Sequence, residues 1–479
     1  MILHHVTRTR APLRVALTGA NGGYGRTFLA QLGLTPEIRP VVLVDPDVAG
    51  VRRMLDELGV PAERVAEAAE PADTARLVEE GRIALLASAD ALDWASVDVL
   101  VEACGRVSAG FAYASAALDN HTHVVMVSKE VDTVVGVELG ARAAANGLSY
   151  LPGDGDQPAN LLRLVDWVSA VGLDIVAIGK SGEYDLELDP ATGRVTQAGV
   201  TVDAPELADL LELGDDVAGT LARRAEAVRG LKRAAAADSC EMAVVATRTG
   251  ATADVEAMHY PVARIAELAD IYAAREHGGI LGRDGVVDVF SALRLPGEAS
   301  FAGGVFAVVR TGDPATWELL RGKGHVISRD GRYACLYWPY HYMGVETPLT
   351  VHAAADRAPA LRPRWTTLLA ARAADDLGVG AELHVQGHHH EIDGVAPVLL
   401  DPTVLGGAET VAPYYLLDGA RLVRPVAQGD LIGLDDVEGV DAPALAAYLT
   451  GIARTATTTA TTPDTTTTTT TITNDGDDR

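Results

Sequence analysis

The sequence predicts an α/β protein whose N-terminal part is a doubly wound, Rossmann-type parallel sheet. Short, almost continuously apolar segments alternate with helical segments over residues 1–150, which is the pattern of strands covered by helices on both faces. A glycine-rich turn follows the first apolar segment, and an aspartate ends the second one, about twenty residues past the turn, as in dinucleotide-binding sheets. We therefore predict a dinucleotide-binding domain over residues 1–150.

The elements of this domain follow from apolar runs and helical periodicity. Strands are expected at 14–18, 41–45, 83–88, 97–104 and 122–128, with helices after the glycine turn and at 48–58, 108–119 and 133–146. A parallel sheet needs such crossover helices between its strands. The predicted order of elements is therefore consistent with the predicted fold class.

From residue 151 the pattern changes to that of a second, α+β domain, which we place at 151–357. A helix is expected to begin near Gln157, because Pro158 suits the first turn of a helix. The further expectations are a strand at 174–179, a long alanine-rich helical stretch from about 185 to 275, and strands at 304–311, 333–341 and 345–351. This domain is expected to bind the substrate.

The C-terminal part is predicted to be a small β domain followed by a tail. Residues 358–364 are rich in proline and arginine and read as a linker, and residues 365–450 carry short strands and glycine turns. Residues 455–479 are almost pure threonine with terminal acids. Since such a composition cannot form a core, we predict a disordered tail there.

Composition and charge exclude several function classes. The chain of 479 residues has a net charge of −27 and 48% hydrophobic residues. It can form a large core but lacks the basic surface that nucleic acids and anionic membranes require. Its three cysteines are too few and too scattered for a disulfide framework or a zinc site. Without a signal-peptide core or an apolar run of membrane-spanning length, the chain is expected to be soluble and cytoplasmic.

The glycine turn is the predicted binding site of the dinucleotide. Gly19, Gly22 and Gly25 lie between a strand and a helix. Glycines at this spacing allow a tight turn, in which the backbone around Ala20 and Asn21 can approach a pyrophosphate.

Two further residues concern the nucleosides of the cofactor. Asp45 ends the second predicted strand, where a carboxylate hydrogen-bonds ribose hydroxyls and repels a 2′-phosphate. We therefore predict NAD in preference to NADP; the alternative is that Asp45 only caps the next helix. Gly105 would let the backbone pass close to the nicotinamide ribose, or would simply make a turn.

Lysine is rare, and this directs attention to two positions. Of the 39 basic residues only four are lysine, namely Lys129, Lys180, Lys232 and Lys323. Lys129 directly follows a predicted strand, at the edge of the sheet that faces the ligand, and Lys180 ends a strand in the second domain. We predict that both amines act on a reacting substrate oxygen. The alternative for Lys129 is a solvated side chain at a helix start.

Three other side chains are candidate catalytic or substrate-binding groups. Asp156 lies directly before a helix. Its carboxylate either caps this helix or contacts substrate hydroxyls. Glu241 lies in an apolar helical run, where a carboxylate needs a partner such as Lys180. His341 follows Tyr340 at the end of a predicted strand, and its alternative is a structural role.

The run His388–Glu391 has the composition of a metal cluster but is predicted to be a turn or surface segment. Consecutive residues of a strand point to opposite faces of the sheet, so they do not converge on one ion.

Five segments together resemble one known family. They are HVVMVSKEVD, GDGDQPANLLRLVDW, IVAIGKSGEY, GGVFAVVRTGD and YWPYHYMGVETPLTV. Over roughly residues 12–445 the chain is similar to homoserine-dehydrogenase-like oxidoreductases with a C-terminal SAF-type β domain. These include the second type of 1-deoxy-D-xylulose 5-phosphate reductoisomerase. The resemblance implies a nicotinamide-dependent reductase, or a coupled isomerase and reductase, acting on a small polyhydroxy or phosphorylated carbonyl compound. It also implies a homodimer formed through the second domain.

The matching segments carry four residues over as site residues: Lys180, Asp156, Glu241 and His341. Three departures concern the substrate. Lys129 resembles the catalytic lysine of true homoserine dehydrogenases, Gln157 replaces a glutamate typical of the reductoisomerase type, and Asp45 has no counterpart in the NADPH-using members. They weaken a transfer of the deoxyxylulose phosphate substrate and leave the reaction class intact.

Three hypotheses follow. The first is an NAD(P)-dependent oxidoreductase. A variant that also isomerises its substrate would need a divalent ion, Mg²⁺ or Mn²⁺, with Asp156 and Glu241 as the nominated ligands. Activity that survives EDTA would count against this variant. The second is homoserine dehydrogenase, which an assay with homoserine and NAD would detect. The third is a dinucleotide-sensing or scaffold protein, favoured if loss of the lysines left function in cells intact.

Overall fold

Seven parallel strands form the N-terminal sheet, so the predicted Rossmann-type fold class is confirmed. The computed structural model describes residues 11–402, 407 and 410–459. The strands are β1 (Leu13–Thr18), β2 (Ile38–Val44), β3 (Val65–Glu67), β4 (Ile83–Leu86), β5 (Val99–Glu102), β6 (His123–Met126) and β7 (Tyr150–Pro152). The helices are α1 (Gly23–Leu32), α2 (Val48–Glu57), α3 (Pro71–Glu79), α4 (Val107–Asp119) and α5 (Lys129–Ala145).

The strand order of this sheet, β3-β4-β2-β1-β5-β6-β7, creates the ligand crevice. From β1 the chain builds one half of the sheet through β2, β3 and β4, and it then returns from β4 to place β5 on the other side of β1. The direction of winding changes between β1 and β5, so the crevice opens at their carboxyl ends. The sequence missed β3, α3 and β7, and the predicted boundary at residue 150 falls inside β7. Helix α5 begins at Lys129 rather than at 133. The sequence did not show its first turn because residues 130–133 are all buried, so that no amphipathic period is visible there.

The second domain is built on a larger mixed sheet. Its strands are β8 (Asp174–Ser181), β9 (Leu186–Asp189), β10 (Arg194–Gln197), β11 (Val200–Asp203), β12 (Thr252–Ala253), β13 (Val262–Ala263), β14 (Val286–Arg294), β15 (Val305–Arg310), β16 (Val326–Ile327) and β17 (Tyr333–Trp338). Its helices are α6 (Gln157–Ala170), α7 (Val217–Ala227), α8 (Ala236–Thr249), α9 (Leu268–Ile271), α10 (Pro314–Arg321) and α11 (Thr347–Ala355). Helix α8 packs against α6 and also against α5, which brings the first two domains into contact.

Two predictions for this domain were wrong. The stretch from 185 to 275 is not helical throughout, because the antiparallel strands β9, β10 and β11 occupy its beginning. There Leu186 and Leu188 are fully buried in alternation with half-buried neighbours, a period-2 signal that the later alanines obscured. The predicted strand at 345–351 is the start of α11. Pro348 lies in its first turn, and Val351 and Ala354 pack on the core of the first domain.

The third domain consists of small antiparallel sheets and one helix. Its elements are β18 (Leu368–Ala373), β19 (Glu382–Leu383), β20 (Val385–Gln386), β21 (Glu391–Ile392), β22 (Val395–Leu400), β23 (Ala420–Leu422), β24 (Val437–Glu438) and α12 (Ala442–Thr459). Helix α12 packs back on α5, where Arg454 Nε lies 2.6 Å from Glu138 Oε2. It includes the first residues of the predicted tail, whose remainder, 460–479, lies outside the described residues. No helix in the described ranges has the length and apolarity needed to cross a membrane.

Candidate active site

The glycine turn after β1 has the shape that a dinucleotide requires. Gly19 has a φ of +65°, and a Cβ there would lie 2.2 Å from the Ala103 carbonyl oxygen. A Cβ at Gly25 would lie 2.4 Å from the Ala20 carbonyl oxygen. Gly22 is the N-cap of α1, and no side chain of the described chain caps this helix. Its first-turn N–H groups therefore remain available for an anion, and the turn fits a nicotinamide dinucleotide.

Asp45 lies beside this turn, directly after β2. Its carboxylate accepts hydrogen bonds from the backbone N–H groups of Asn21 and Asp47, each at 2.9 Å. The N-cap of α2 is Asp47, which accepts from Gly50 N at 2.8 Å. The alternative that Asp45 caps this helix is therefore wrong, and its carboxylate faces the edge of the glycine turn.

The turn after β5 supplies the second wall of the crevice. Gly105 has a φ of +68°, and no described atom lies within 4 Å of a Cβ placed there. Its N–H donates to Ser128 Oγ at 2.8 Å. Behind it, the fully buried Glu102 accepts from Cys104 N at 2.9 Å and from Thr18 Oγ1 at 3.2 Å. Burial raises the pKa of Glu102, a residue that the sequence analysis did not single out.

Both predicted lysines converge on one buried carboxylate. Lys129 Nζ lies 2.5 Å from Glu241 Oε1, and Lys180 Nζ bonds the other oxygen of the same carboxylate. Lys180 Nζ also lies 2.7 Å from Asp238 Oδ1, and Lys129 Nζ lies 3.8 Å from Asp156 Oδ2. The Lys180 side chain is 2% exposed and that of Lys129 is 19% exposed. Lys129 is therefore the more accessible of the two amines.

The elements explain why these side chains meet. Lys180 lies near the end of β8, while Asp238 and Glu241 are three residues apart on α8 and share one face of that helix. Lys129 is the first residue of α5, where the helix dipole disfavours a cation. Its position is therefore stabilised by the surrounding carboxylates rather than by its own helix.

The cluster keeps its charges. Burial alone would lower the pKa of the Lys129 ammonium, but the carboxylates, chiefly Asp156 and Glu241, raise the pKa well above its ordinary value. The pKa of Lys180 is raised in the same way, against burial, by Asp238 and Glu241. Burial would raise the pKa of Glu241, but the two ammonium groups lower it to about 2. The amines are therefore protonated and Glu241 is ionised at neutral pH.

Asp156 and His341 complete the predicted set. Asp156 is the N-cap of α6 and accepts from Gln157 N at 3.1 Å, so it caps the helix and faces Lys129 at the same time. Burial raises the pKa of Asp156, while the charges of Lys129 and His341 partly offset this effect. His341 Nδ1 is buried and has no hydrogen-bond partner among the described residues. Tyr340, beside it, is exposed.

The residues nominated as metal ligands do not fit a divalent ion. Asp156 lies close to the ammonium of Lys129, and both carboxylate oxygens of Glu241 bond lysine amines. Positive charges therefore stand where a cation would have to bind. In the ranges that the structure describes, no three His, Cys, Asp or Glu side chains are grouped to hold a metal.

A cleft of about 290 Å³ opens next to the cluster, and we call it the substrate cleft. Its polar lining residues are Glu183, Tyr184, Gln197, Lys232, Arg233, Asp238, Ser291 and His389. Arg233 donates to the Tyr260 carbonyl oxygen at 2.9 Å and has no carboxylate partner within the described chain, and burial lowers its pKa. Ser291 Oγ is buried, with no hydrogen-bond partner in the same ranges. The cleft therefore offers an unneutralised guanidinium and a free hydroxyl to a ligand.

Sequence reasoning found the centre of this site and missed its surroundings. The predicted partnership of Glu241 with Lys180 is present. Asp238 was missed, although its spacing of three residues from Glu241 on a buried helix was a usable signal. Arg233 was missed because nothing in a local sequence pattern shows that an arginine lacks an acidic partner.

The chain was compared with known proteins. Residues 232–347 match the model of a protein family described as the catalytic domain of the oxidoreductase DRL. The matched segment contains Asp238, Glu241 and His341. The predicted reaction class, an oxidoreductase, is thereby confirmed, whereas the SAF-type assignment of the third domain stays a prediction. No curated protein matches the chain in sequence.

Several solved structures are similar at low identity. One is the GenD2 protein of gentamicin A biosynthesis in complex with NAD, at 15% identity over 74% of this chain and 90% of that one, with a TM-score of 0.34. Another is the UDP-N-acetylglucosamine 3-dehydrogenase GnnA from Acidithiobacillus ferrooxidans, at 13% identity over 74% and 92%, with a TM-score of 0.37. A DOX-P reductoisomerase with fosmidomycin and magnesium has 16% identity over 49% and 57%, with a TM-score of 0.27. At these values the similarities carry no argument about activity.

Proposed function

We propose that this protein is a nicotinamide-dependent oxidoreductase that interconverts a hydroxyl and a carbonyl group on a small, anionic polyhydroxy compound. One observation carries the proposal. The buried cluster of Lys129, Glu241 and Lys180 lies between the first two domains, and Lys129 follows β6 at the carboxyl edge of the sheet that carries the glycine turn. In sheets of this type the ligand binds at that edge.

The residues that would hold the cofactor are those of the glycine turn, with Asp45 at the ribose and Gly105 beside the nicotinamide. When bound, the nicotinamide supplies or accepts the hydride. Lys129 donates a hydrogen bond to the substrate oxygen and stabilises the negative charge that develops there. Its raised pKa favours this role over release of a proton.

The remaining groups divide the other tasks. Glu241 fixes the two ammonium groups relative to each other, and Lys180, which is 2% exposed, keeps Glu241 ionised. Asp156 has a pKa raised by burial and lies beside Lys129, so it is suited to exchange the proton of the substrate hydroxyl. His341, whose buried Nδ1 lacks a hydrogen-bond partner among the described residues and whose charge acts on Asp156, is the candidate group for a neighbouring substrate hydroxyl. The proposed reaction involves neither a metal ion nor an isomerisation.

An anionic substrate is favoured by the substrate cleft. Arg233 has no carboxylate partner among the described residues, although acidic residues outnumber basic ones by 66 to 39. A guanidinium binds a carboxylate or phosphate through two parallel hydrogen bonds. Ser291 adds a hydroxyl to the same cleft, whereas the charge of Lys232 is already paired with Glu391.

The first test is a thermal-shift titration with NAD, NADH, NADP and NADPH, followed by assays with tetrose, pentose and sugar-acid substrates, with and without phosphate. The proposal requires saturable binding of at least one nicotinamide cofactor and its turnover with an anionic polyhydroxy compound. Absence of binding by all four would contradict it.

The cofactor preference is tested by Asp45→Ser. We propose that the wild-type enzyme prefers NAD, because the Asp45 carboxylate at the turn repels a 2′-phosphate. The substitution should lower the ratio of kcat/KM for NAD over NADP by about tenfold, which corresponds to roughly 1.4 kcal/mol. Asp56→Ser, an exposed change on α2, is the matched control. A wild-type enzyme that works better with NADPH than with NADH would show that this role of Asp45 is wrong.

The anion contact is tested by Arg233→Gln. Since this change removes a charge-assisted hydrogen bond to the substrate, KM for an anionic substrate should rise by roughly 10- to 100-fold, and KM for the cofactor should not change. Arg223→Gln, at an exposed position of α7, is the control. An unchanged substrate KM in the Arg233 variant would remove the argument for an anionic substrate.

A further inference from the structure

The run His388–Glu391 lies at the tip of the hairpin that joins β20 to β21, in agreement with the turn predicted from the sequence. We call it the histidine hairpin. Three of its side chains form a hydrogen bond or an ion pair with a residue of the first or second domain, and the fourth, His389, lies near a carboxylate without a hydrogen bond to it. The pairs are His388 Nε2 with Glu183 Oε1 at 2.6 Å, His389 Nδ1 with Glu183 Oε2 at 3.4 Å, His390 Nδ1 with Glu130 Oε1 at 2.5 Å, and Glu391 Oε1 with Lys232 Nζ at 2.6 Å.

Among these pairs, the contact of His390 is the one whose carboxylate is most buried. The Glu130 side chain is 4% exposed, whereas Glu183 is 38% exposed. A carboxylate removed from water requires a hydrogen-bonded partner, and the third domain supplies that partner here. Glu130 directly follows Lys129 in the first turn of α5. His390 therefore acts on the segment that carries the reactive amine.

The hairpin also contacts the other helix of the site. The N–H of Ala237, in the first turn of α8, donates to the His389 carbonyl oxygen at 3.2 Å. Helix α8 carries Asp238 and Glu241, and the His389 side chain lines the substrate cleft. One turn of the third domain thus touches the starts of α5 and α8 and a wall of the cleft.

We propose that the third domain completes the active site through the histidine hairpin, with His390 as a positioning residue that holds Glu130 and thereby the first turn of α5. The contribution to turnover rests on the proposed oxidoreductase function; the contact itself does not. The third domain is accordingly a part of the catalytic unit rather than an appended binding module.

The contact is expected to depend on pH. The hydrogen bond to Glu130 raises the pKa of His390, and burial offsets this in part. Because the pKa is higher in the folded state, the pairing is fully present below the ordinary histidine value of about 6.5. It is lost as the pH rises through the folded-state pKa. The titratable groups that interact with His390 or with its partner are Lys129, Glu130, Cys104, Cys240, Glu241 and Tyr415, besides its neighbours His388, His389 and Glu391.

The experiment uses the full chain and the variants His390→Ala, His390→Gln and, as control, His384→Ala. His384 lies on the same domain, with a 58% exposed side chain. Two quantities are measured between pH 5.5 and 9: kcat and KM, and amide hydrogen exchange of residues 385–392 corrected for its intrinsic pH dependence. For His390→Ala at pH 6 we expect kcat to fall about tenfold or more, as for loss of one charge-assisted hydrogen bond, with faster exchange in the hairpin.

His390→Gln keeps a hydrogen-bond donor but cannot change its charge, so the fall of kcat at alkaline pH that we expect of the wild type should be absent in this variant. A loss of stability alone would not remove the decrease of kcat at alkaline pH. The proposal is overturned if hairpin exchange in His390→Ala equals that of the wild type, or if kcat and its pH profile are the same in all variants. A wild-type chain with no oxidoreductase activity would instead refute the proposed function, while the exchange data would still decide on the hairpin contact.

Discussion

Lys129→Met is expected to lower kcat by a factor of about 10² to 10⁴, the range for a group that acts on the reacting oxygen. The methionine keeps the approximate length of the side chain and removes the more exposed of the two ammonium groups. Binding of the cofactor should persist, because the glycine turn is not altered. The measurement is steady-state kinetics together with a cofactor titration.

The control for this change is Lys323→Met, which makes the same substitution at an exposed position. It should leave kcat and KM unchanged. If Lys129→Met folds, binds the cofactor and retains wild-type kcat, then Lys129 does not act on the substrate. The scarcity of lysine in the sequence would then have no catalytic meaning.

Glu241→Gln is expected to produce the largest loss of stability, roughly 3–5 kcal/mol, the cost of removing one partner from a buried ion pair. The reason is that one carboxylate neutralises two buried amines. Without it, Lys180 retains only Asp238, and Lys129 retains the more distant Asp156. Chemical denaturation at pH 7 measures this difference. Activity should fall as well, because the position of Lys129 is lost.

The pH dependence of that difference is a second check. The pKa of Glu241 is lowered to about 2 in the folded state, so its contribution is present above the ordinary glutamate value of about 4.3 and is lost as the pH falls toward 2. The wild type and Glu241→Gln should therefore approach each other in stability over that range. Glu318→Gln, which breaks a surface pair with Arg321, should cost at most about 1 kcal/mol. An equal cost for both variants at pH 7 would contradict the buried cluster.

Local sequence patterns could predict those elements whose burial produces a recognisable run of apolar residues along the chain. The strands of the first sheet are buried on both faces, so β1, β2 and β6 appear as continuous apolar runs. The short strands β9, β10 and β11 were hidden because their alternation spans only four residues each. Helix α11 was mistaken for a strand, since its Thr and Val residues favour strands, while its burial depends on contacts with the first sheet.

The site shows the same division. The strand-end position and rarity of Lys129 and Lys180 were visible in the sequence, and the suggested pairing of Lys180 with Glu241 is present. The contact of Lys129 with the same carboxylate was not predicted. The contacts of the histidine hairpin join residues more than 150 positions apart, and Glu130 and His390 are 260 apart. No periodicity or motif encodes such a distance. The same holds for Arg233, whose distinctive property is the lack of an acidic partner among the described residues.

A crystal structure of the full chain with NAD bound is the most direct test of where the chemistry occurs. The expected result places the pyrophosphate at the start of α1 and the nicotinamide ring beside Gly105, with the Lys129 amine across the cleft from the ring. A nicotinamide bound elsewhere, or a Lys129 amine that cannot reach a substrate oxygen next to the ring, would contradict the proposed active site.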